Sequence, residues 1–314
     1  MTIHRTHLPQ LDGGVFLNDA GLETDLIFNH GVDIPAFAAH TLLKDEAGRA
    51  ALTRYMEGFL TLAGATGSGF VLDASTWRAQ SHFSEELGEN TTELRDANRT
   101  AVEFAIGLRE KFSSNSGPIV INGLIGPRGD AYAPEHEIAA AEAESYHSEQ
   151  LGWLAETDVD MVTALTFTQT DEAIGAVRAA QAVGLPIVVS FTVETDGHLP
   201  DGQPLGEAIT AVDDATGAAA AYFMVNCAHP DHFGDDLVDT AWARRIRGLR
   251  CNASRMSHEE LDECEVLDDG DPAELAASYG DIKARLPWLN VFGGCCGSDL
   301  RHVTEIAHTV NAVG

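Results

Sequence analysis

"DMVTALTFTQTDEAIGAVRAAQAV" (Asp160–Val183) decides the fold. Its first part, Asp160–Leu165, is a short β-rich apolar run; its second, Asp171–Val183, carries apolar residues at helical spacing. A helix placed directly after a strand returns the chain to the strand's starting end, so the next strand lies parallel. The same unit recurs along the whole sequence. Further strands are expected at Val15–Asn18, Phe70–Asp73, Ile119–Asn122, Ile187–Phe191, Tyr222–Asn226, Ile246–Arg250 and Asn290–Phe292. Helical spacing marks Ala50–Ala63, Thr92–Lys111, Pro134–Glu156, Gly206–Ala219, Pro272–Leu286 and Asp299–Val310. Eight strands alternating with helices predict an α/β fold, a single (β/α)8 TIM barrel. No Pro-, Ser- or Gly-rich linker divides the chain, so residues 1–314 are expected to form one domain. A doubly wound open sheet is the alternative, but strands spread over the full length suit closure better.

The charge balance excludes whole classes of partner. The 314 residues hold 49 acidic against 19 basic side chains, a net charge of −30, with only Lys44, Lys111 and Lys283 as lysines. Nucleic acid needs clustered Lys and Arg to neutralise phosphates, and an anionic membrane surface repels such a chain. The N-terminal stretch lacks the apolar core of a signal peptide, and no run reaches the roughly 18 apolar residues of a membrane span. A cytoplasmic location is expected, where thiols stay reduced. Five cysteines, an odd number, do not form a disulfide framework.

In a (β/α)8 barrel the chemistry sits at the C-terminal ends of the strands. Strand 1 ends in Asp19, Glu23 and Thr24, strand 2 in Ser75-Thr76-Trp77, strand 6 in Asn226-Cys227, strand 7 in Cys251-Asn252 and strand 8 in Cys295-Cys296. Cys227, Cys295 and Cys296 therefore converge on one rim. Zinc prefers thiolates, and a catalytic zinc keeps three protein ligands with a fourth position open. Free cysteines more often fill cores, but Gly-Gly-Cys-Cys-Gly (Gly293–Gly297) at a rim is a poor way to do so. The glycines are expected to supply backbone angles that bring both sulfurs to one side. A disulfide between the adjacent cysteines is disfavoured by geometry and by a reducing cytosol. Cys251 is ambiguous, and Cys264 reads as an ordinary loop residue. His229 and His232 read as loop-capping rather than metal-binding, and the acidic stretch Glu259–Asp271 as a solvated loop or a lid over the rim.

"NCAHP" (Asn226–Pro230) followed by "GGCCG" (Gly293–Gly297) resembles the zinc-binding pattern of the homocysteine S-methyltransferase family, which includes the betaine- and S-methylmethionine-dependent enzymes. "LNDAGLET" (Leu17–Thr24), "NGLIGPRGDAY" (Asn122–Tyr132) and "GLPIVVSFTVETDGHLPDGQPL" (Gly184–Leu205) resemble its first, third and fifth strands. The resemblance implies a zinc-dependent barrel that moves a methyl group from a small onium donor to a thiol, homocysteine or a related one. It implies Zn2+ on Cys227, Cys295 and Cys296, and it supports Asp19, Glu23, Thr24, Thr76 and Asn226 as substrate-binding candidates. Small-molecule thiol and donor are the expected partners. Three thiolates on a divalent ion leave one net negative charge, which keeps electron density on the incoming sulfur and favours a cationic donor.

The acceptor half departs from the family pattern. There the fourth strand carries Phe-Glu-Thr, the Glu helping to bind the acceptor's amino group; aligned on Glu172-Ala173, this chain has Leu165. The second strand reads Ser75-Thr76-Trp77-Arg78 where the family has a Thr followed by Tyr-Gln. After strand 7, Arg250-Cys251-Asn252-Ala253-Ser254 stands for Tyr-Pro-Asn-Ser. Loss of the strand-4 carboxylate weakens binding of an amino thiol unless Glu194, Asp73 or Glu23 supplies the charge. Two other readings remain: a non-catalytic zinc- or thiol-binding barrel, and a zinc-dependent hydrolase, which would need His or carboxylate ligands and a general base.

Overall fold

The computed structural model describes residues 2–114, 116–129, 137–264 and 266–313. Eight strands, β1 (Phe16–Leu17), β2 (Gly69–Ala74), β3 (Ile119–Ile125), β4 (Met161–Phe167), β5 (Ile187–Phe191), β6 (Phe223–Asn226), β7 (Ile246–Cys251) and β8 (Val291–Gly294), pair in chain order. All are parallel, and β8 pairs with β1, Val291 opposite Phe16, to close the barrel. Each expected strand is present, β3 and β4 running further than expected. The connections carry α1 (Leu22–Thr24), α2 (Glu46–Thr66), α3 (Ser84–Leu87), α4 (Thr91–Phe112), α5 (Ala140–Ala155), α6 (Thr170–Val183) and α7 (Leu205–Thr216). They continue with α8 (Pro230–Phe233), α9 (His258–Asp262), α10 (Pro272–Arg285) and α11 (Leu300–Ala312).

Local chemistry sets the helix starts. Asn90 accepts from the backbone of Thr92 and Glu93 while Glu93 accepts from that of Asn90, a reciprocal cap for α4. The helix expected over Pro134–Glu156 begins at Ala140; residues 134–136 lie outside the described residues, as do Asp130–Tyr132 of the third-strand motif. Between β6 and β7 only the single turn α8 and a 3-10 turn at Ala243–Arg245 are found, so that crossover lacks a long helix. Pro230 starts α8, Gly234 follows it, and the next residues lack a helical apolar stripe.

Side chains alternate across each strand, and this sorts the interior into layers. Phe16, Val71, Val120, Met161, Val188, Met224 and Val291 form an apolar layer inside the barrel with Leu8 and Tyr222. Two residues further along the strands, the same inward face reads Asn18, Asp73, Asn122, Thr163, Ser190, Asn226 and Arg250, all buried and all polar. Most of these groups pair with one another: Thr163 Oγ1 donates to Asn122 Oδ1 at 3.0 Å, Asn122 Nδ2 to Asp73 Oδ1 at 2.7 Å, and Ser190 Oγ to Asn226 Oδ1 at 2.6 Å, while Asn18 Nδ2 donates to the Val71 carbonyl. Buried polar groups left unpaired would each cost about 1–3 kcal/mol, so the pairing fixes the layer.

The opposite end is sealed by the N-terminal segment. Gln10 is fully buried, its Nε2 donating to Tyr222 Oη at 3.3 Å, while Asn290 Nδ2 donates to its carbonyl at 2.7 Å. Asp160 anchors the same segment, accepting from the backbone N–H of Ile3 and His4 and from Arg109 Nη1 at 2.7 Å. Among the described residues, no helix is long and apolar enough to cross a membrane.

Candidate metal centre and active site

The three sulfurs meet above the polar layer. One ligand atom from each of Cys227, Cys295 and Cys296 lies within 4.8 Å of the others. Three thiolates about 2.3 Å from one zinc would stand about 3.8 Å apart, so the cluster has the span that such an ion requires. Cys227 and Cys295 are drawn together as a disulfide, with Cα atoms 5.5 Å apart. The contact joins the ends of β6 and β8, and the adjacent cysteines are not bridged. Disulfide and metal compete for the same sulfurs, so the reduced trio is the metal-binding form.

Backbone geometry aims Cys227. It adopts φ +54°, and Thr166, at the end of β4, φ +64°, a region costly for residues with a Cβ. Asn226 holds this pair from behind, accepting from Thr166 N at 3.1 Å and donating to Thr166 Oγ1 at 2.7 Å. Thr166 Oγ1 stands 4.0 Å from Cys227 Sγ. The Cys227 carbonyl accepts from Asn252 Nδ2 at 3.0 Å and lies 2.6 Å from His258 Nε2.

On β8 the glycines act differently from expectation. Only Gly297 has a positive φ, +78°. Gly293 and Gly294 are strand residues with no room for a side chain: a Cβ on Gly293 would meet the Asp19 carbonyl at 2.6 Å, and one on Gly294 would collide with Ser298 Oγ. The glycines let β1 and the following turn close onto the cysteines. Tyr279, fully buried on α10, bridges the strand ends, donating to the Gly293 carbonyl at 2.8 Å and accepting from Cys251 N at 2.7 Å. Tyr279→Phe should lower stability by about 2 kcal/mol, by leaving a buried N–H and carbonyl short of a partner. Denaturant melts would show it, and an unchanged midpoint would count against this bridging role.

The cluster opens into a cavity of about 530 Å³ at the C-terminal end of the barrel. Asp19, Glu23 and Thr24 all line it. Thr24 Oγ1 accepts from Gly297 N at 3.2 Å, locking α1 onto the turn after Cys296. Thr76 and Asn226 stand behind this lining. Thr76 Oγ1 is spent on the backbone of Leu124, donating at 2.7 Å and accepting at 2.8 Å, and Asn226 is consumed by Thr166 and Ser190. Leu165 lines the cavity, its carbonyl accepting from Trp77 Nε1 at 3.1 Å. Arg78 lies over the rings of Trp77 and Phe83, 4.6 and 4.4 Å from their centres, and half-exposed Phe28 and Phe37 stand at the mouth.

Arg250 is the group the residue types alone did not single out. Buried at the end of β7, it pairs through Nη2 with Asp19 Oδ1 at 2.5 Å and through Nη1 with Asp73 Oδ2, and donates through Nε to the Gly294 carbonyl at 3.2 Å. Burial opposes its charge, but Asp19 and Asp73 hold it protonated. Burial pushes the Asp19 carboxyl up to about 7 against the pull of Arg250, and pushes Glu23 to about 7 as well. Its inward position is readable from strand alternation, since Gly248 and Arg250 share a face, opposite Met224 and Asn226 of β6.

The remaining cysteines stand apart from the cluster. Burial pushes the Cys251 thiol up to about 12, far from the thiolate form. Cys264 lines the cavity mouth, its thiol donating to the Glu260 carbonyl at 3.2 Å. His229 caps α8, Nδ1 accepting from Asp231 N at 3.2 Å, and burial lowers it to about 4. His232 Nε2 lies 2.9 Å from the Arg255 carbonyl. From the acidic stretch, Leu261, Val266, Leu267 and Asp268 reach the cavity, so it forms one wall; Glu265 lies outside the described residues.

No curated protein matches the chain in sequence. Among solved structures, the oxidized form of the Escherichia coli homocysteine methyltransferase MmuM superposes with a TM-score of 0.73 at 16% identity, covering 94% of this chain and 96% of that one. The metallated form of the same enzyme gives 0.73 at 15% identity, covering 96% and 98%. Those likenesses establish the barrel. The profile of the homocysteine S-methyltransferase family matches residues 16–310, and the chain belongs to that family.

Proposed function

We propose that this chain, acting as one barrel domain in a reducing cytoplasm, transfers a methyl group from a small onium donor to the thiol of homocysteine, giving methionine. The observation that carries the reading is the meeting of three sulfurs from two strand ends at the floor of one cavity. Reduced Cys227, Cys295 and Cys296 are the residues that would hold a zinc ion. Bound there, zinc supplies thiol activation, favouring deprotonation of the acceptor's sulfur at neutral pH.

The chain's own residues orient and enclose. Thr24 and Gly297 fix the cysteine turn against α1, and Asn226 keeps Cys227 aimed inward. Asp19, Glu23 and Thr24 form the cavity wall beside Cys296, while Leu165 and Trp77 present apolar surface that displaces water. In the transfer, a sulfur lone pair forms the new S–CH3 bond as the methyl–onium bond breaks, and that bond's electron pair returns to the donor heteroatom, which becomes neutral. The thiol proton leaves to solvent. Holding sulfur, methyl carbon and leaving atom in line is the barrel's main contribution. An all-sulfur ligand set is unsuited to a zinc hydrolase, which draws on His or carboxylate ligands.

Incubating reduced, zinc-reconstituted protein with homocysteine and betaine, S-methylmethionine or a dimethylsulfonium compound should yield methionine by mass spectrometry. Absence of methionine with every donor would leave a non-catalytic zinc- or thiol-binding barrel.

A further inference from the structure

Two of the carboxylates under the cavity are unavailable to a ligand. Asp19 and Asp73 share the guanidinium of Arg250, and the second oxygen of Asp73 accepts from Asn122 Nδ2. Asp268 accepts from Ser254 Oγ at 2.6 Å, and Glu86 stands exposed at the rim. Glu194 faces His258 Nδ1 at 3.3 Å and lies outside the cavity lining. Glu23 differs from all of them. It lines the cavity, is only partly exposed, and among the described residues has no ion-pair partner. Its neighbour Thr24 is bonded to the turn carrying Cys296, and Glu23 and Cys296 line the same cavity. Across the cavity Leu165 contributes only apolar surface.

We propose that Glu23 is the residue that recognises the ammonium of an amino-thiol acceptor, and that Arg250 sets this specificity by keeping Asp19 and Asp73 occupied. The proposal rests on the thiol-methylation reading above and names its acceptor class: a thiol with a primary ammonium a few bonds from sulfur. Among the described residues no cation forms an ion pair with the Glu23 carboxylate; burial raises its proton affinity against the pull of its own backbone N–H and of the more distant Arg250 and Arg78. An ammonium supplies the missing charge. The carboxylate of recognition has thereby moved from β4, where Leu165 stands, to α1.

Titration calorimetry on the reduced, zinc-reconstituted protein tests this with homocysteine and its des-amino analogue, 4-sulfanylbutanoate. Wild type should bind homocysteine about 10- to 100-fold more tightly, the size of a hydrogen bond to a charged group. Glu23→Gln should abolish that preference while holding the analogue's affinity within about 3-fold, since only the ammonium contact is lost. Adding Leu165→Glu to that variant should restore it, and thermal melts report whether each variant is folded. A Glu23→Gln protein that keeps the wild-type preference, or a wild type that binds both thiols equally, overturns the assignment. Binding is read apart from turnover: a homocysteine preference in wild type that Glu23→Gln abolishes, without methylated product from any donor, would sink the methyltransferase reading and leave the ammonium site standing.

Discussion

Replacing Cys296 with serine will strip zinc from the reduced protein and lower kcat/KM for thiol methylation by at least about 10³-fold, the equivalent of several kcal/mol of lost charge stabilisation. A serine hydroxyl does not deprotonate at neutral pH to replace a thiolate, and two sulfurs cannot define a three-ligand site. Cys296 is the sharpest member to change, because it is only half-buried and its loss disturbs the barrel interior less than loss of buried Cys227. Cys264→Ser is the matched control: it removes a thiol from the same cavity wall, yet Cys264 is not in the sulfur cluster, so metal content should stay at one zinc per chain. Elemental analysis and steady-state kinetics on both variants decide the matter. Full zinc occupancy in Cys296→Ser would take that residue out of the ligand set.

Arg250→Met should destabilise the fold by about 3–5 kcal/mol, because it leaves Asp19 and Asp73 buried side by side without their cation. For a chain this long that corresponds to a fall in Tm of about 6–10 °C. The deficit carries a pH signature. Burial already lifts the Asp19 carboxyl to about 7, and removing the arginine drives it higher. A carboxyl whose folded-state value lies above its unfolded one stabilises the fold below the unfolded value and loses that contribution as pH rises through the folded one. The variant should thus approach wild type at pH 5 and fall furthest behind at pH 8. Equal deficits at both values would mean that the arginine acts through packing alone.

The strands were legible because a parallel barrel buries both faces of each strand, so they read as continuous apolar runs between polar turns. The sulfur trio was legible because glycines flanking paired cysteines at a strand end have few other uses. Thr76 and Asn226 show where residue type runs out: a polar residue at a strand end can face the cavity or mend the backbone behind it, and residue type does not distinguish the two. Arg250 belongs to the reverse case. Its inward parity on β7 follows from counting residues, but its partners sit on β1 and β2, and only closure of the barrel brings them together. The acidic stretch after β7 reads as a solvated loop or a lid, and its apolar members Leu261, Val266 and Leu267 line the cavity.

The left-handed backbone at Cys227 has a consequence for how this chain can change over evolutionary time. Glycine adopts that angle without penalty, whereas a residue with a Cβ gives up on the order of 1 kcal/mol of folding stability there. Drift toward a sturdier barrel therefore pulls position 227 toward glycine, and a lineage released from the chemistry would gain by yielding. A thiol kept at that position is held by selection on activity against selection on stability.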